Sequence, residues 1–246
     1  MRINFSNRQT FSKMFLLKSK LFIYAFLFLG LYCSIASGQT KLLSGYPLHI
    51  QQTNSDKPFI FFLTGDGGWN PFSQHLVAEL QQSGYSMVAL DSQQYFWKAK
   101  SPEELSKDTQ TIINYYLKAW NKSEFVLIGF SFGADAGALL PTRLPKNLLD
   151  RLKHVVLFSP SPSTDLVIKL IEMAGGSSDG RYKVNAEIAK IPVPVLCVFG
   201  SEEDSELRSQ IKESNLLKKI DIPGSHRYNN DYRQVAKVII QRISKS

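Results

Sequence analysis

From residue 59 onward the sequence alternates between short apolar runs and helical patterns, and this alternation constrains the fold more than any other feature. Phe59–Leu63 is an unbroken run of five apolar residues, as is typical of a strand buried on both faces. Further apolar runs cover Met87–Leu90 and residues 125–128, 154–158 and 193–199, and residues 218–222 are predicted to be a short last strand. Strands that alternate with helices favour a mostly parallel sheet with helices on both faces. The sequence therefore predicts an α/β fold.

The helices between these runs carry start signals. Asn70 followed by Pro71 is typical of an N-cap and a first helical turn. A capping-box sequence at Ser101 opens a longer helix, and residues 232–243 form an amphipathic helix near the end of the chain. Residues 161–190 interrupt the alternation, and we expect a small lid there.

A G-x-S-x-G pentapeptide at residues 129–133 is the sharpest chemical signal. It follows an apolar strand and precedes a helix start rich in small residues, which is the context of a nucleophile elbow. The glycines would be needed because the serine sits on a strained strand-to-helix turn. The competing interpretation is a glycine-rich strand end with a solvated serine. We favour Ser131 as a nucleophile.

A serine hydroxyl needs a general base, and in a nucleophile-elbow fold the chain order is serine, acid, histidine. The chain has four histidines: His49, His75, His154 and His226. His226 alone follows the last predicted strand and precedes the final helix, so it is the candidate base. The alternative is a surface-loop histidine, and the other three are expected to be structural or solvated.

The acid of such a triad should follow the penultimate strand, where it orients the imidazole. Three carboxylates stand there in succession: Glu202, Glu203 and Asp204. We predict that Asp204 is the acid, with Glu203 as the second choice. The remaining two would belong to a solvated acidic turn.

An oxyanion hole requires two preorganised N–H donors. One should be the backbone N–H of Phe132, and the other should come from the glycine-rich loop after the first parallel strand, at Asp66 or Gly67. This loop lacks the lysine-containing P-loop sequence, and a dinucleotide fingerprint is also absent. No cofactor or metal is expected, since two cysteines cannot form a thiolate zinc site.

The first 38 residues are predicted to be a cleavable signal peptide. Their basic start is followed by a 12-residue apolar run, residues 21–32, and by small residues at 36 and 38. Cys33 raises the possibility of lipidation, which the residues before it disfavour. Residues 39–246 would then form one domain. The predicted signal peptide carries five basic residues and no acidic one. Without it, 24 basic and 21 acidic residues remain, so the net charge falls from +8 to +3. No basic cluster with aromatics remains, which argues against nucleic-acid binding.

Several stretches resemble the VirJ/AcvB family of exported bacterial α/β-hydrolases. They are residues 65–69, 91–92, 95–97, 101–104, 129–135, 143–145, 224–226 and 231–232. The resemblance implies an α/β-hydrolase fold and a periplasmic serine hydrolase acting on aminoacyl-phosphatidylglycerol (lysyl or alanyl), with links to virulence and type IV secretion in some members. Its implied triad is Ser131, Asp204 and His226. One departure is Arg227, which stands where the family tends to have a second histidine.

An aminoacyl lipid carries an ammonium group, which one of the carboxylates at Asp66, Asp91 or Asp135 could pair, because all three are expected near the site. Asp135 could equally brace the elbow. The implied partner is a membrane lipid, with peripheral contact to the membrane surface. The alternatives are a general secreted esterase or lipase, and a non-catalytic accessory protein of secretion. The sequence does not indicate an oligomeric state.

Overall fold

The apolar runs form the middle of a seven-stranded sheet in this computed structural model, which describes residues 42–168 and 180–244. The strands are β1 (Leu48–Gln51), β2 (Phe59–Leu63), β3 (Met87–Leu90), β4 (Phe125–Phe130), β5 (Leu152–Phe158), β6 (Ser163–Thr164), β7 (Tyr182–Lys183), β8 (Val195–Gly200) and β9 (Leu217–Ile222). The sheet order is β1-β3-β2-β4-β5-β8-β9, and all its pairs are parallel except β1 with β3. The mostly parallel sheet is confirmed.

The described helices include those that the capping signals predict. They are α1 (Pro71–Gln82), α2 (Ser92–Tyr95), α3 (Pro102–Ala119), α4 (Phe132–Ala138), α5 (Lys146–Leu149), α6 (Val184–Ile188), α7 (Glu206–Gln210) and α8 (Tyr232–Ile243). The Asn70 side chain accepts from Ser73 N at the start of α1. Ser101 and Glu104 form both hydrogen bonds of a capping box at the start of α3. The helix predictions at Asn70, at Ser101 and over residues 232–243 are confirmed, with bounds within two residues.

Helices cover both faces of the sheet because the strand side chains alternate between the two faces. On one face, Ile60 and Phe62 of β2 belong to a buried cluster that includes residues of α1 and α8. On the other face, the Phe59 ring lies 5.8 Å from that of Trp120 at the end of α3. Every residue of β2 is at most 1% exposed. The strand ends at the carboxyl side are thereby held in a fixed row, where the predicted site residues follow.

The structure adds elements that the sequence patterns did not predict. Strand β1 pairs antiparallel at the edge, and its half-exposed, four-residue sequence lacks the apolar run that marked the other strands. The described parts of the predicted lid form the β6–β7 pair and α6, while residues 169–179 lie outside the described residues.

The described residues from 47 onward, 47–168 and 180–244, belong to one compact unit. The predicted signal peptide and Cys33 lie outside the described residues. Among the helices that the structure describes, none has the length and apolar character needed to cross a bilayer.

Candidate active site

Ser131 occupies a sharp turn between β4 and α4. Its backbone has φ 55° and ψ −124°, a conformation that residues other than glycine rarely adopt. A Cβ on Gly129 would lie 2.3 Å from the Gly133 carbonyl oxygen, and a Cβ on Gly133 would lie 2.3 Å from the Leu63 oxygen. The flanking glycines are therefore required by close backbone approach, and the turn has the geometry expected of a nucleophile elbow.

The loops after β8 and β9 bring two more predicted residues to Ser131. Ser131 Oγ lies 2.9 Å from His226 Nε2, and His226 Nδ1 lies 2.7 Å from Glu203 Oε1. A histidine 95 positions along the chain thus meets the elbow serine. The three side chains form the contacts of a nucleophile, a base and an orienting acid.

The acid in this arrangement is Glu203, which corrects the first choice of Asp204. After β8 the chain turns back, with Glu203 N bonded to Gly200 O at 3.1 Å. This turn brings Glu203 Oε2 back to Gly200 N at 3.2 Å and leaves Oε1 for His226. Asp204 lies one residue beyond the turn and is exposed. The turn geometry selects Glu203 from the three successive carboxylates.

The Glu203 carboxylate is largely buried and well supplied with donors. Its side chain is 13% exposed, and Ser159 Oγ donates to Oε2 at 2.6 Å. Burial by itself raises the pKa of Glu203, but the hydrogen bonds from His226 and Ser159 outweigh it and hold that pKa below its usual value. Glu203 is therefore an anion facing His226 at neutral pH.

The loop that carries His226 is fixed at two glycines. A Cβ on Gly200 would lie 2.3 Å from Ser225 O, and Gly224 has φ +107°. The imidazole remains 46% exposed, so a substrate can reach it. Its ring also lies 5.4 Å from that of Phe130, the last residue of β4. The base is held firmly on the side facing the protein and is accessible from outside.

The two predicted sources of oxyanion donors lie at the ends of β4 and β2. Phe132 is the first residue of α4, where backbone N–H groups have no partner within the helix. In the loop after β2, Gly67 N donates to Asp66 Oδ1 at 2.9 Å, and Gly68 N donates to Gly65 O at 3.0 Å. Since the Gly67 N–H is already bonded, the backbone N–H of Asp66 is the better candidate of the two that the sequence allowed.

The family described as "Bacterial virulence protein (VirJ)" matches residues 57–246, which include the elbow, the acid turn and the histidine loop. The chain belongs to the VirJ family. Among curated proteins, no sequence matches this VirJ-family chain.

Solved structures show the same fold at low sequence identity. Est1E from Butyrivibrio proteoclasticus, with ferulic acid bound, is 17% identical with a TM-score of 0.58, over 81% of this chain and 94% of Est1E. An alpha-beta serine hydrolase homologue from Coxiella burnetii is 13% identical with a TM-score of 0.56, over 80% of this chain and 90% of that one. Naproxen esterase (carboxylesterase NP) from Bacillus subtilis is 12% identical with a TM-score of 0.53, over 82% of this chain and 94% of the esterase. The VirJ-family chain thus has the α/β-hydrolase fold.

The structure gives local partners to the two carboxylates predicted to bind substrate. Asp91 caps α2, and its oxygens accept from Gln94 N and Gln94 Nε2. Asp135 Oδ1 accepts from Ser161 N at 2.6 Å, and its side chain is buried. Burial, with a further contribution from Asp66, raises the pKa of Asp135 to about 8. The bracing contact expected as the alternative for Asp135 is present, whereas Asp66 is partly exposed at the candidate oxyanion loop.

The other histidines of this VirJ-family chain have contacts elsewhere. His49 stacks on Trp69 at 4.2 Å between ring centroids, and His75 stacks on Tyr232 at 4.8 Å. His154 is buried in β5, where burial lowers its pKa. Within the described part of the chain, no three His, Cys, Asp or Glu side chains group as metal ligands would.

Two residues at the site were missed by the sequence patterns: Ser159, after β5, and Tyr228, two positions after His226. The Tyr228 hydroxyl lies 2.6 Å from Ser159 Oγ, which in turn contacts Glu203. No motif marks either residue, because their relation to Glu203 arises only when three strand ends meet. The position of Ser159 at the end of a predicted strand was the one available signal.

Proposed function

We propose that this VirJ-family chain is a serine hydrolase that cleaves carboxylic esters through an acyl-enzyme. The observation that carries the proposal is the continuous contact from Ser131 Oγ through His226 to Glu203, at 2.9 and 2.7 Å. Family membership and the hydrolase fold support a hydrolase independently of this geometry.

In the first half-reaction, Ser131 Oγ attacks the ester carbonyl carbon while its proton passes to His226 Nε2. The backbone N–H groups of Phe132 and Asp66 stabilise the oxyanion that forms. When the tetrahedral intermediate collapses, the alcohol leaves with the proton from His226. Water then attacks the acyl-enzyme by the same route, with His226 as base, and releases the carboxylic acid and Ser131. Glu203 keeps the imidazole oriented and stabilises its protonated form throughout.

For the substrate, we propose the aminoacyl ester of phosphatidylglycerol, with the enzyme exported to the periplasm. The resemblance of residues 224–226 and of the other stretches to the VirJ/AcvB family supports this. A partly exposed carboxylate at Asp66 would suit the substrate ammonium, since opposite charges attract most strongly where water is partly excluded. Trp97, 60% exposed, follows Phe96, whose ring packs on Phe132. An exposed tryptophan beside the site would suit contact with a lipid surface.

The test of the hydrolase is labelling of the purified protein with a fluorophosphonate probe, which reacts with activated serines. We expect wild type to be labelled and Ser131→Ala to be unlabelled, with an unchanged circular dichroism spectrum. Hydrolysis of esters should fall by at least about 10³-fold in Ser131→Ala, as for other removed nucleophiles. A folded wild type that resists labelling would instead favour the non-catalytic accessory role.

The test of the substrate compares lysyl- and alanyl-phosphatidylglycerol with neutral acyl esters of similar size. We expect wild type to prefer the aminoacyl lipids. Asp66→Asn keeps an oxygen acceptor for Gly67 N but removes the charge, so the ratio of aminoacyl to neutral ester hydrolysis should fall. Equal rates on all esters, unchanged in the variant, would favour a general esterase.

A further inference from the structure

We propose that Ser159 and Tyr228 are positioning residues of the triad, which together hold the Glu203 carboxylate against His226 through a buried chain of hydroxyl groups. The inference rests on the proposed function, because it concerns the acid of the same triad. It assigns a role to two residues that carry no recognisable motif.

The direction of the hydroxyl chain follows from counting protons. Ser159 has a single hydroxyl proton, and it donates this proton to Glu203 Oε2 at 2.6 Å. In the 2.6 Å contact between the two hydroxyls, Tyr228 must therefore be the donor and Ser159 Oγ the acceptor. The chain runs from Tyr228 through Ser159 to Glu203, whose other oxygen receives His226 Nδ1–H.

Because the hydroxyl groups of Tyr228 and Ser159 are buried, the loss of either one should cost more free energy than the loss of an exposed hydroxyl group. Ser159 is 3% exposed and Tyr228 is 1% exposed, so water cannot easily replace either hydroxyl. Without Ser159, Oε2 of Glu203 would keep only the longer contact from Gly200 N at 3.2 Å. Burial also raises the pKa of Tyr228 well above its usual value, so this residue remains a proton donor.

The backbone at both residues is strained where the side chains meet. Ser159 has φ +48° and Tyr228 has φ +52°, a left-handed conformation that is unusual for residues other than glycine and rare for a bulky side chain. Strain of this kind persists only where the surrounding structure fixes it.

Tyr228 also connects the acid to the base. It lies two residues after His226 in the same loop, and its ring lies 5.7 Å from that of Phe158, the residue before Ser159. Its hydroxyl has a second acceptor in Val198 O at 3.2 Å. Removing the Ser159 hydroxyl would therefore leave Tyr228 with a partner, so a change in activity need not come from lost folding.

Among the described residues, the titratable groups next to Glu203 include its chain neighbours Glu202 and Asp204, both of which are exposed. His226 and Tyr228 face it from the loop after β9, and Arg208 of α7 donates to Gly200 O at 3.2 Å and lies 3.8 Å from Asp221 of β9. Ser159 is the only described side chain besides His226 that donates to its carboxylate. A substitution of Ser159 should therefore change the hydrogen bonding of Glu203 directly, and with it the proton affinity of the pair formed by Glu203 and His226.

The experiment compares Ser159→Ala, Tyr228→Phe and the double variant in the full chain, with p-nitrophenyl butyrate hydrolysis and fluorophosphonate labelling measured from pH 5 to 9. Loss of a hydrogen bond to a charged group should lower kcat/KM about 10-fold in Ser159→Ala. The acidic limb of the pH profile should move to higher pH, because the acid and base pair binds a proton more readily when Glu203 loses a donor. Tyr228→Phe should show a smaller change in the same direction.

The double variant should resemble Ser159→Ala, because Tyr228 acts on Glu203 only through Ser159. Tyr232→Phe is the matched control: its ring packs on Phe72 and His75, the hydrogen bonds from Tyr228 through Ser159 to Glu203 do not involve it, and the pH profile should not move. Tyr228→Phe keeps the buried ring and tests the proposal even if Ser159→Ala fails to fold. A labelled wild type with pH profiles unmoved in the variants would overturn this inference alone, whereas an unlabelled wild type would overturn it together with the proposed hydrolase.

Discussion

The candidate triad has two halves, the elbow at Ser131 and the pair of Glu203 and His226, and different interactions hold each half in place. At the elbow, a strained Ser131 is accommodated by glycines that let the backbone of α4 approach β2 within a few ångströms. On the opposite side, Glu203 and His226 are held by side-chain hydrogen bonds that link positions 44 and 23 residues apart. The elbow thus depends on glycines, whereas the acid and base half depends on particular side chains in addition to Gly200 and Gly224.

Backbone strain is distributed differently in the two halves. The elbow places its unusual φ on Ser131 alone, whereas three successive residues after the base, Tyr228, Asn229 and Asn230, all have φ between 52° and 57°. Ser159 adds another at the end of β5. We therefore expect substitutions of the elbow glycines to act on folding, and substitutions of Glu203, Ser159 and Tyr228 to act on rate.

The two halves also contain buried carboxyl groups whose pKa values shift in opposite directions. Asp135, on the elbow helix, has its pKa raised to about 8 by burial, so it holds a proton at neutral pH. Glu203 has its pKa lowered, since its hydrogen-bond donors outweigh burial. The protonated carboxyl group of Asp135 braces Ser161 N in a buried position, whereas the ionised carboxylate of Glu203 faces His226 with a negative charge.

The largest effect is expected at Gly133. In Gly133→Ala the new Cβ would lie 2.3 Å from the carbonyl oxygens of both Leu63 and Thr64, so α4 cannot keep its place against β2. We expect little folded protein and no ester hydrolysis. The measurement is thermal unfolding together with soluble yield.

Gly137→Ala is the control on the same helix, because its Cβ would make ordinary contacts of 3.4 and 3.5 Å with Leu63 and Leu157 side chains. It should fold and label normally. Equal stability of the two variants would show that the elbow does not depend on close backbone approach.

The next effect is expected at Glu203. Glu203→Gln keeps the shape but replaces the anion that orients His226, so kcat should fall by about 10²–10⁴-fold, as when a triad acid is neutralised elsewhere. The folded spectrum should not change. Steady-state kinetics on one ester checks this.

The neighbouring substitution Asp204→Asn removes the same charge one residue away and should change kcat by less than about twofold, because exposed charges interact weakly with the site. If Asp204→Asn proved the more damaging of the two, the assignment of the acid would return to Asp204.

The smallest effect concerns the pH dependence of stability at Asp135. Between its ordinary value of 3.8 and about 8, the unfolded chain releases a proton that the folded chain keeps, so the free energy of unfolding falls as pH rises. Asp135→Asn does not titrate and can still accept from Ser161 N. Its stability relative to wild type should therefore increase from pH 5 to pH 8, by at most about 1.4 kcal/mol per pH unit.

Urea unfolding at four pH values measures this difference. The depressed pKa of Glu203 does not interfere, since its stabilising contribution is complete above about pH 4.5 and is lost only as pH falls below that. Parallel pH dependences for wild type and Asp135→Asn would mean that this carboxyl group is ionised in the folded protein.

The elements that local chemistry marks could be predicted from the sequence. Uniformly apolar runs became the central strands, caps at Asn70 and Ser101 became helix starts, and the elbow pentapeptide became the turn at Ser131. These features are readable because their causes, side-chain periodicity, capping and the space that only glycine leaves, act within a few residues. The chain order also singled out His226.

Three features arise from the tertiary structure: the choice of Glu203 over Asp204, the approach of Ser159 and Tyr228 to the acid, and the partner of Asp135. Each of these depends on how three strand ends and their turns lie side by side. A one-residue difference in a turn changes which carboxylate faces the imidazole, and no local pattern encodes that choice. Distances between side chains far apart in sequence exist only after the sheet has formed.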